Sequence, residues 1–117
     1  MRETSIVILD EIAQGEPNRK NAGETNLPSN LLEVHEVVFR YRGSLPSLGI
    51  ECGDLLIVEP RKKAATGEFV LVRYGENVFL GHWWTKHGRR ELRCDDDRTI
   101  TGKLQIIGAV NLIVRPQ

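Results

Sequence analysis

A small, mostly β domain is the fold class this chain predicts, on three observations. Short runs rich in Val, Ile, Leu and Phe recur along it, separated by Gly, Asn and Pro turn signals. No segment sustains the apolar period of an amphipathic helix. A chain of 117 residues suits one domain with one core. Together these predict a barrel or sandwich built from twisted antiparallel sheets, with residues 1–117 forming a single domain.

The elements follow in order. Ile6 to Ile12 is apolar enough to form a strand that docks on the body. Residues 11 to 30 are polar, and Gln14 to Gly23 is rich in Gly and Asn, so this stretch predicts a mobile surface loop. Asn30-Leu31-Leu32-Glu33 supports one helical turn at most. Val34 to Arg42 alternates and predicts a strand, and Leu55-Leu56-Ile57-Val58 predicts another, closed by Pro60. Phe69 to Tyr74 and Val78 to Trp84 flank Gly75-Glu76-Asn77, a hairpin signal. Lys86-His87-Gly88-Arg89 marks a second turn, with Glu91 to Cys94 as the return strand. Leu104 to Val114 is the last strand, and Gly108 inside it marks a bulge or bend. The β core thus spans about residues 34–115.

Lys plus Arg total 16 and Asp plus Glu total 16, a formal net charge of zero. A domain that grips nucleic acid usually carries a basic excess. The short cluster Arg61-Lys62-Lys63 is not one, so no direct nucleic acid binding is expected. Cys52 and Cys94 lack CxxC spacing and nearby His ligands, which predicts two reduced thiols, no metal and no cofactor. The apolar run before Asp10 is too short for a signal peptide, and nothing approaches the ~20 apolar residues of a membrane span. A cytoplasmic protein with no membrane contact is the expectation.

The segment Gly43-Ser44-Leu45-Pro46-Ser47-Leu48-Gly49-Ile50-Glu51-Cys52-Gly53-Asp54-Leu55-Leu56 places a serine just past a strand, then Gly-Ile, then Gly-Asp-Leu-Leu entering the next strand. It resembles the nucleophile segment of the LexA and UmuD family of self-cleaving Ser–Lys peptidases, whose fold is of the signal-peptidase type. Leu45 stands where that family usually has Met, and Arg42 where it usually has Gly. Thr66-Gly67-Glu68-Phe69-Val70-Leu71-Val72 resembles the family's next strand, and Ile106 to Val114 its closing strand. Residues 6–30 are similar to its cleavage segment, with Gln14-Gly15 at the place of the scissile Ala-Gly or Cys-Gly bond. The resemblance spans about residues 6 to 115. It implies a homodimer, with a protein partner of the DNA-damage (SOS response) or repressor type and a role in transcription regulation.

A serine hydroxyl needs an adjacent base to act as nucleophile, here a neutral lysine. Gapless alignment on Gly67-Glu68-Phe69 and Val78-Phe79-Leu80 puts Gly81 at the lysine position, and glycine cannot accept a proton. His82 is the substitute base to consider, but strand neighbours point to opposite faces unless a bulge intervenes. Lys86, Lys62 and Lys63 are remote or solvated, and His35 and His87 read as solvent-facing or turn residues. Asp54 alone reads as a turn acid that accepts backbone N–H bonds. Of adjacent Trp83 and Trp84, one packs inward.

Three functions compete. The first is a regulatory and dimerisation domain, catalytically degenerate because the lysine is missing, pairing through Leu104 to Val114, with any DNA-binding domain outside the chain. The second is an active self-cleaving peptidase with a replacement base, cutting at Gln14-Gly15 or at Ala22-Gly23. The third is a small β-barrel binding module. If Gly81 is a vacated lysine position, Gly81→Lys with Gln14→Ala is expected to restore some cleavage.

Overall fold

The computed structural model describes residues 2–20, 23–94 and 98–116. Its strands, in chain order, are β1 (Glu3–Ile12), β2 (Arg19–Lys20), β3 (Glu24–Pro28), β4 (Val37–Tyr41), β5 (Leu55–Pro60), β6 (Phe69–Tyr74), β7 (Asn77–Lys86), β8 (Arg89–Arg93), β9 (Thr99–Thr101) and β10 (Leu104–Val114). The helical content among the described residues is one 3-10 turn, Pro46–Leu48. The protein is therefore mostly β, as its sequence predicts. No described helix is long and apolar enough to cross a membrane.

One sheet joins the strands in the order β2-β1-β4-β5-β10-β6-β7-β8-β9, with β3 also paired to β1. Pairing is antiparallel except between β1 and β4, which run parallel from Ile8↔Val38 to Ile12↔Tyr41. The sheet is thus mixed, not purely antiparallel. A parallel neighbour needs a long return connection, and residues 13–36 supply it.

The inner strands bury both faces, which explains why they read as continuous apolar runs. Strand β5 sends Leu56 and Val58 into a central core with Ile12, Phe39, Tyr41, Leu45, Leu71 and Leu80. Its alternate residues, Leu55 and Ile57, face a second core with Ile8, Leu27 and Val38. Strand β6 divides the same way: Leu71 faces the central core, while Val70 and Val72 face a third core with Trp83, Leu92, Leu104 and Ile106.

Both predicted hairpins form. The first turns on Gly75 (φ 63°), the positive φ that a type II′ turn requires at its first central residue. The second turns on His87 and Gly88, whose φ angles of 51° and 74° suit type I′. The bulge expected at Gly108 is present, since the β10–β6 register shifts between Ile106 and Gly108. A Cβ at Gly108 would lie 2.4 Å from the Glu59 carbonyl oxygen, so only glycine fits this approach.

Two expectations are corrected. Strand β10 is not a free edge along its length, because Leu104–Ala109 pairs with β6 and Gly108–Val114 with β5. Only beyond Ala109 does it lack a register partner on the β6 side. Nor is the 11–30 stretch an undocked loop. Asp10 and Glu11 pair with β2, and Glu3–Val7 pair with all of β3. The stretch is held by main-chain ladders and by the buried side chains of Ile12, Ala13 and Leu27, so its polar composition concealed the structure.

Candidate functional site

Strand β4 ends at buried Tyr41, and the chain leaves it through Arg42 and Gly43 (φ 93°) to reach Ser44. Buried Leu45 and Ile50 then exchange two backbone hydrogen bonds of 2.9 and 3.1 Å, closing the loop around the 3-10 turn. This places Ser44 at the mouth of a loop closed by main-chain hydrogen bonds. Ser44 itself is exposed, and its hydroxyl makes no hydrogen bond among the described residues.

The segment resembling a cleavage site is docked. Parallel pairing with β4 carries β1 to Ile12, whose carbonyl accepts from Arg42 N–H at 2.7 Å. Ala13 is buried, and the chain then lies along the start of β7. Gly15 N–H donates to the Val78 carbonyl at 2.8 Å, and Val78 N–H donates to the Glu16 carbonyl at 2.9 Å. The side chain of Gln14 extends this ladder. Its Nε2 donates to the Leu80 carbonyl at 2.8 Å, and Leu80 N–H donates to its Oε1 at 2.7 Å. A primary amide matches a peptide group in donor and acceptor geometry, so Gln14 acts as one more strand residue. Its own N–H lies 3.1 Å from the Tyr41 hydroxyl, to which it donates.

Arg42 fastens the same segment from the other side. Its Nη2 donates to Glu16 at 3.1 Å, and its Nε lies 3.3 Å from a Glu11 carboxylate oxygen without hydrogen-bond alignment. The larger residue at this position therefore ties the end of β4 to both flanks of Gln14-Gly15. Gly15 adopts φ 74° beside the Phe79 ring, 3.3 Å from where a Cβ would stand. Ala22 lies outside the described residues, so the second possible cleavage position has no structural account.

We predict that Gln14→Ala loosens this segment without unfolding the protein. Losing the amide leaves Leu80 N–H and C=O unpaired at the β7 edge, at a cost of about 1–2 kcal/mol. Amide exchange at Gly15, Val78 and Leu80 should then accelerate about tenfold or more. Unchanged protection at these three amides would show that the main-chain ladder holds the segment by itself.

Among the described residues no amine or imidazole hydrogen-bonds the Ser44 hydroxyl. Gly81 pairs with Val70 on β6, on the β7 face that packs Phe79 and Trp83 into the core containing Val70, Val72 and Leu92. Leu45, the neighbour of Ser44, belongs to the central core, to which β7 contributes Val78 and Leu80 instead. A Cβ at Gly81 would stand 2.5 Å from the Arg93 carbonyl oxygen and 3.0 Å from Leu92 Cγ. A lysine at this position would have to displace β8 backbone, which counts against the expectation that Gly81→Lys restores cleavage. His82 is half-buried beside Phe69, ring centroids 5.2 Å apart, and makes no hydrogen bond with Ser44. Lys62, Lys63 and Lys86 are exposed.

Asp54 does more than its sequence context indicates. It is fully buried, and its Oδ2 accepts from Glu51 N–H at 2.8 Å, the turn role expected of it. It also receives Arg115, whose Nε donates to Oδ1 at 3.0 Å and whose Nη2 donates to Oδ2 at 3.1 Å. The guanidinium holds the Asp54 carboxyl below the ordinary Asp range, with the Glu51 N–H adding to it, despite the opposing effect of burial. Arg115 also donates to the Gly49 carbonyl, so the chain end past β10 braces the loop that carries Ser44. No local pattern pairs residues 54 and 115. Trp83 is buried, and the half-exposed Trp84 is covered by Arg93, 4.0 Å from its ring centre.

Neither Cys52 nor Cys94 forms a disulfide among the described residues. Among the described residues no group of His, Cys, Asp and Glu could hold a metal ion. No protein-family model matches the chain, and no curated protein matches it significantly.

Proposed function

We propose that this chain is a regulatory and dimerisation domain of the LexA and UmuD type that does not cleave itself. The observation that carries the proposal is the docking of Gln14-Gly15 as an added strand on β7, beside the end of β4 that leads to Ser44. A self-cleaving ancestor would present its scissile segment in this way. Here a glutamine clamp and Arg42 hold the segment, and no described amine or imidazole hydrogen-bonds the serine hydroxyl. Without a base, the hydroxyl stays protonated and weakly nucleophilic at neutral pH.

The homodimer in this proposal uses the C-terminal half of β10. From Val110 to Val114 this strand pairs with β5 alone, and Leu112 is exposed there. An open strand edge with an exposed apolar side chain can pair with a second copy. Intact-mass spectrometry at pH 7 and pH 10, run beside light scattering, tests both parts. The expected result is an uncut chain and twice the chain mass. A cut before Gly15 that disappears in Ser44→Ala would refute the inactive site, and a monomer at ~100 μM would refute the dimer.

A further inference from the structure

The zero net charge averages paired and unpaired groups, and the structure separates them. Arg42, Arg61, Arg93 and Arg115 are each committed to carboxylates. The side chains of Arg89, Arg90 and Lys103 are exposed and make no ion pair or hydrogen bond among the described residues. All three line one open groove of about 760 Å³ between the β7–β8 turn and the β9–β10 turn, together with Thr101, Gly102 and Gln105. The groove is built by backbone geometry. The type I′ turn at His87-Gly88 presents Arg89 and Arg90, and Gly102 (φ 113°) reverses the chain against the Tyr74 ring to present Lys103.

A second open groove of about 550 Å³ adjoins the first through Arg89 and adds Lys86 and His87. Its one acid, Glu91, is already engaged by Arg93 at 3.0 Å. The two adjoining grooves thus carry a row of four cationic side chains, Lys86, Arg89, Arg90 and Lys103. Two of them are arginines, whose planar forks match phosphate oxygens.

We propose that this row binds the phosphate backbone of a nucleic acid, without reading its sequence. Ser44, Gln14 and Gly81 do not line either groove, so this surface is separate from the docked segment and independent of the function proposed above. The interaction is electrostatic and steeply salt-dependent, with a slope of about −2 in log affinity against log salt for three neutralised phosphates of a single strand.

Fluorescence anisotropy of a labelled oligothymidylate of ~20 nucleotides, longer than the span of a typical small single-strand site, tests this at low salt. The protein is expected to bind with that salt slope. Arg89→Ala combined with Arg90→Ala and Lys103→Ala should weaken binding about tenfold or more while leaving the circular dichroism spectrum unchanged. Lys62→Ala with Lys63→Ala, which removes as exposed a basic pair elsewhere, should leave binding intact. Equal loss in both variants, or no binding at low salt, overturns the proposal. Tighter binding of inorganic pyrophosphate or of polyglutamate than of the oligonucleotide overturns it also, in favour of a small-anion or an acidic-peptide surface.

Discussion

Gly81→Lys is expected to destabilise the protein severely and to produce no self-cleavage. Even Gly81→Ala should cost about 2–3 kcal/mol, because its Cβ would stand 2.5 Å from the Arg93 carbonyl oxygen and backbone must move to admit it. That corresponds to a Tm lower by roughly 10 °C for a domain of this size. Gly81 lies where β7 passes from its pairing with β6 to its pairing with β8, which begins at His82↔Arg93. A side chain here separates the two strands that roof Val70, Val72 and Trp83. Gly108→Ala, with 2.4 Å to the Glu59 carbonyl oxygen, is expected to behave alike and serves as a reference. Thermal unfolding of the three variants decides the matter. A Gly81→Ala protein as stable as the parent would show that β8 yields easily, and that a lysine has room.

Asp54→Asn is expected to cost about 2 kcal/mol at pH 7, and this cost should shrink in acid. The carboxylate is buried and accepts charge-assisted bonds from Arg115, worth more than neutral ones. The guanidinium end is half-exposed and so partly screened, which keeps the effect below that of a fully buried pair. The sign follows from linkage. The folded-state pKa of Asp54 lies below its unfolded value, near 3.9. Its contribution is therefore complete above about pH 4 and disappears as pH falls through the lower folded value. Denaturant unfolding of parent and variant between pH 7 and pH 2 should give two stability curves that converge below pH 4. Parallel curves over that window would show that the Arg115 contact contributes nothing to stability.

The two substitutions probe opposite kinds of information. Strand positions were legible locally. Phe69 to Tyr74 and Leu104 to Val114 coincide with β6 and β10, because apolar runs bounded by Gly and Pro leave few other conformations. Both hairpin turns were legible too, since positive φ selects Gly75 and Gly88. The short strands β2, β3 and β9 were not, because they are polar and are held by main-chain pairing that leaves no side-chain signature. The same blindness hid the docking of Gln14, whose amide finds Leu80 from 66 positions away.

By itself, the sequence determined that this chain forms a mostly β domain with Ser44 after a strand and a glycine where the resemblance places a lysine. Periodicity, turn chemistry and motif order are local properties, and they suffice for that much. Only the tertiary structure decided what surrounds those residues. It filled the space beside Gly81 with the Arg93 backbone, paired β10 with β6 over its first half and with β5 over its second, and gave buried Asp54 a partner at Arg115. It also left the side chains of Arg89, Arg90 and Lys103 without an ion pair among the described residues. Each of these depends on which distant backbone or charge arrives at a given point, and that is set by sheet order and strand register, which no short stretch of residues encodes.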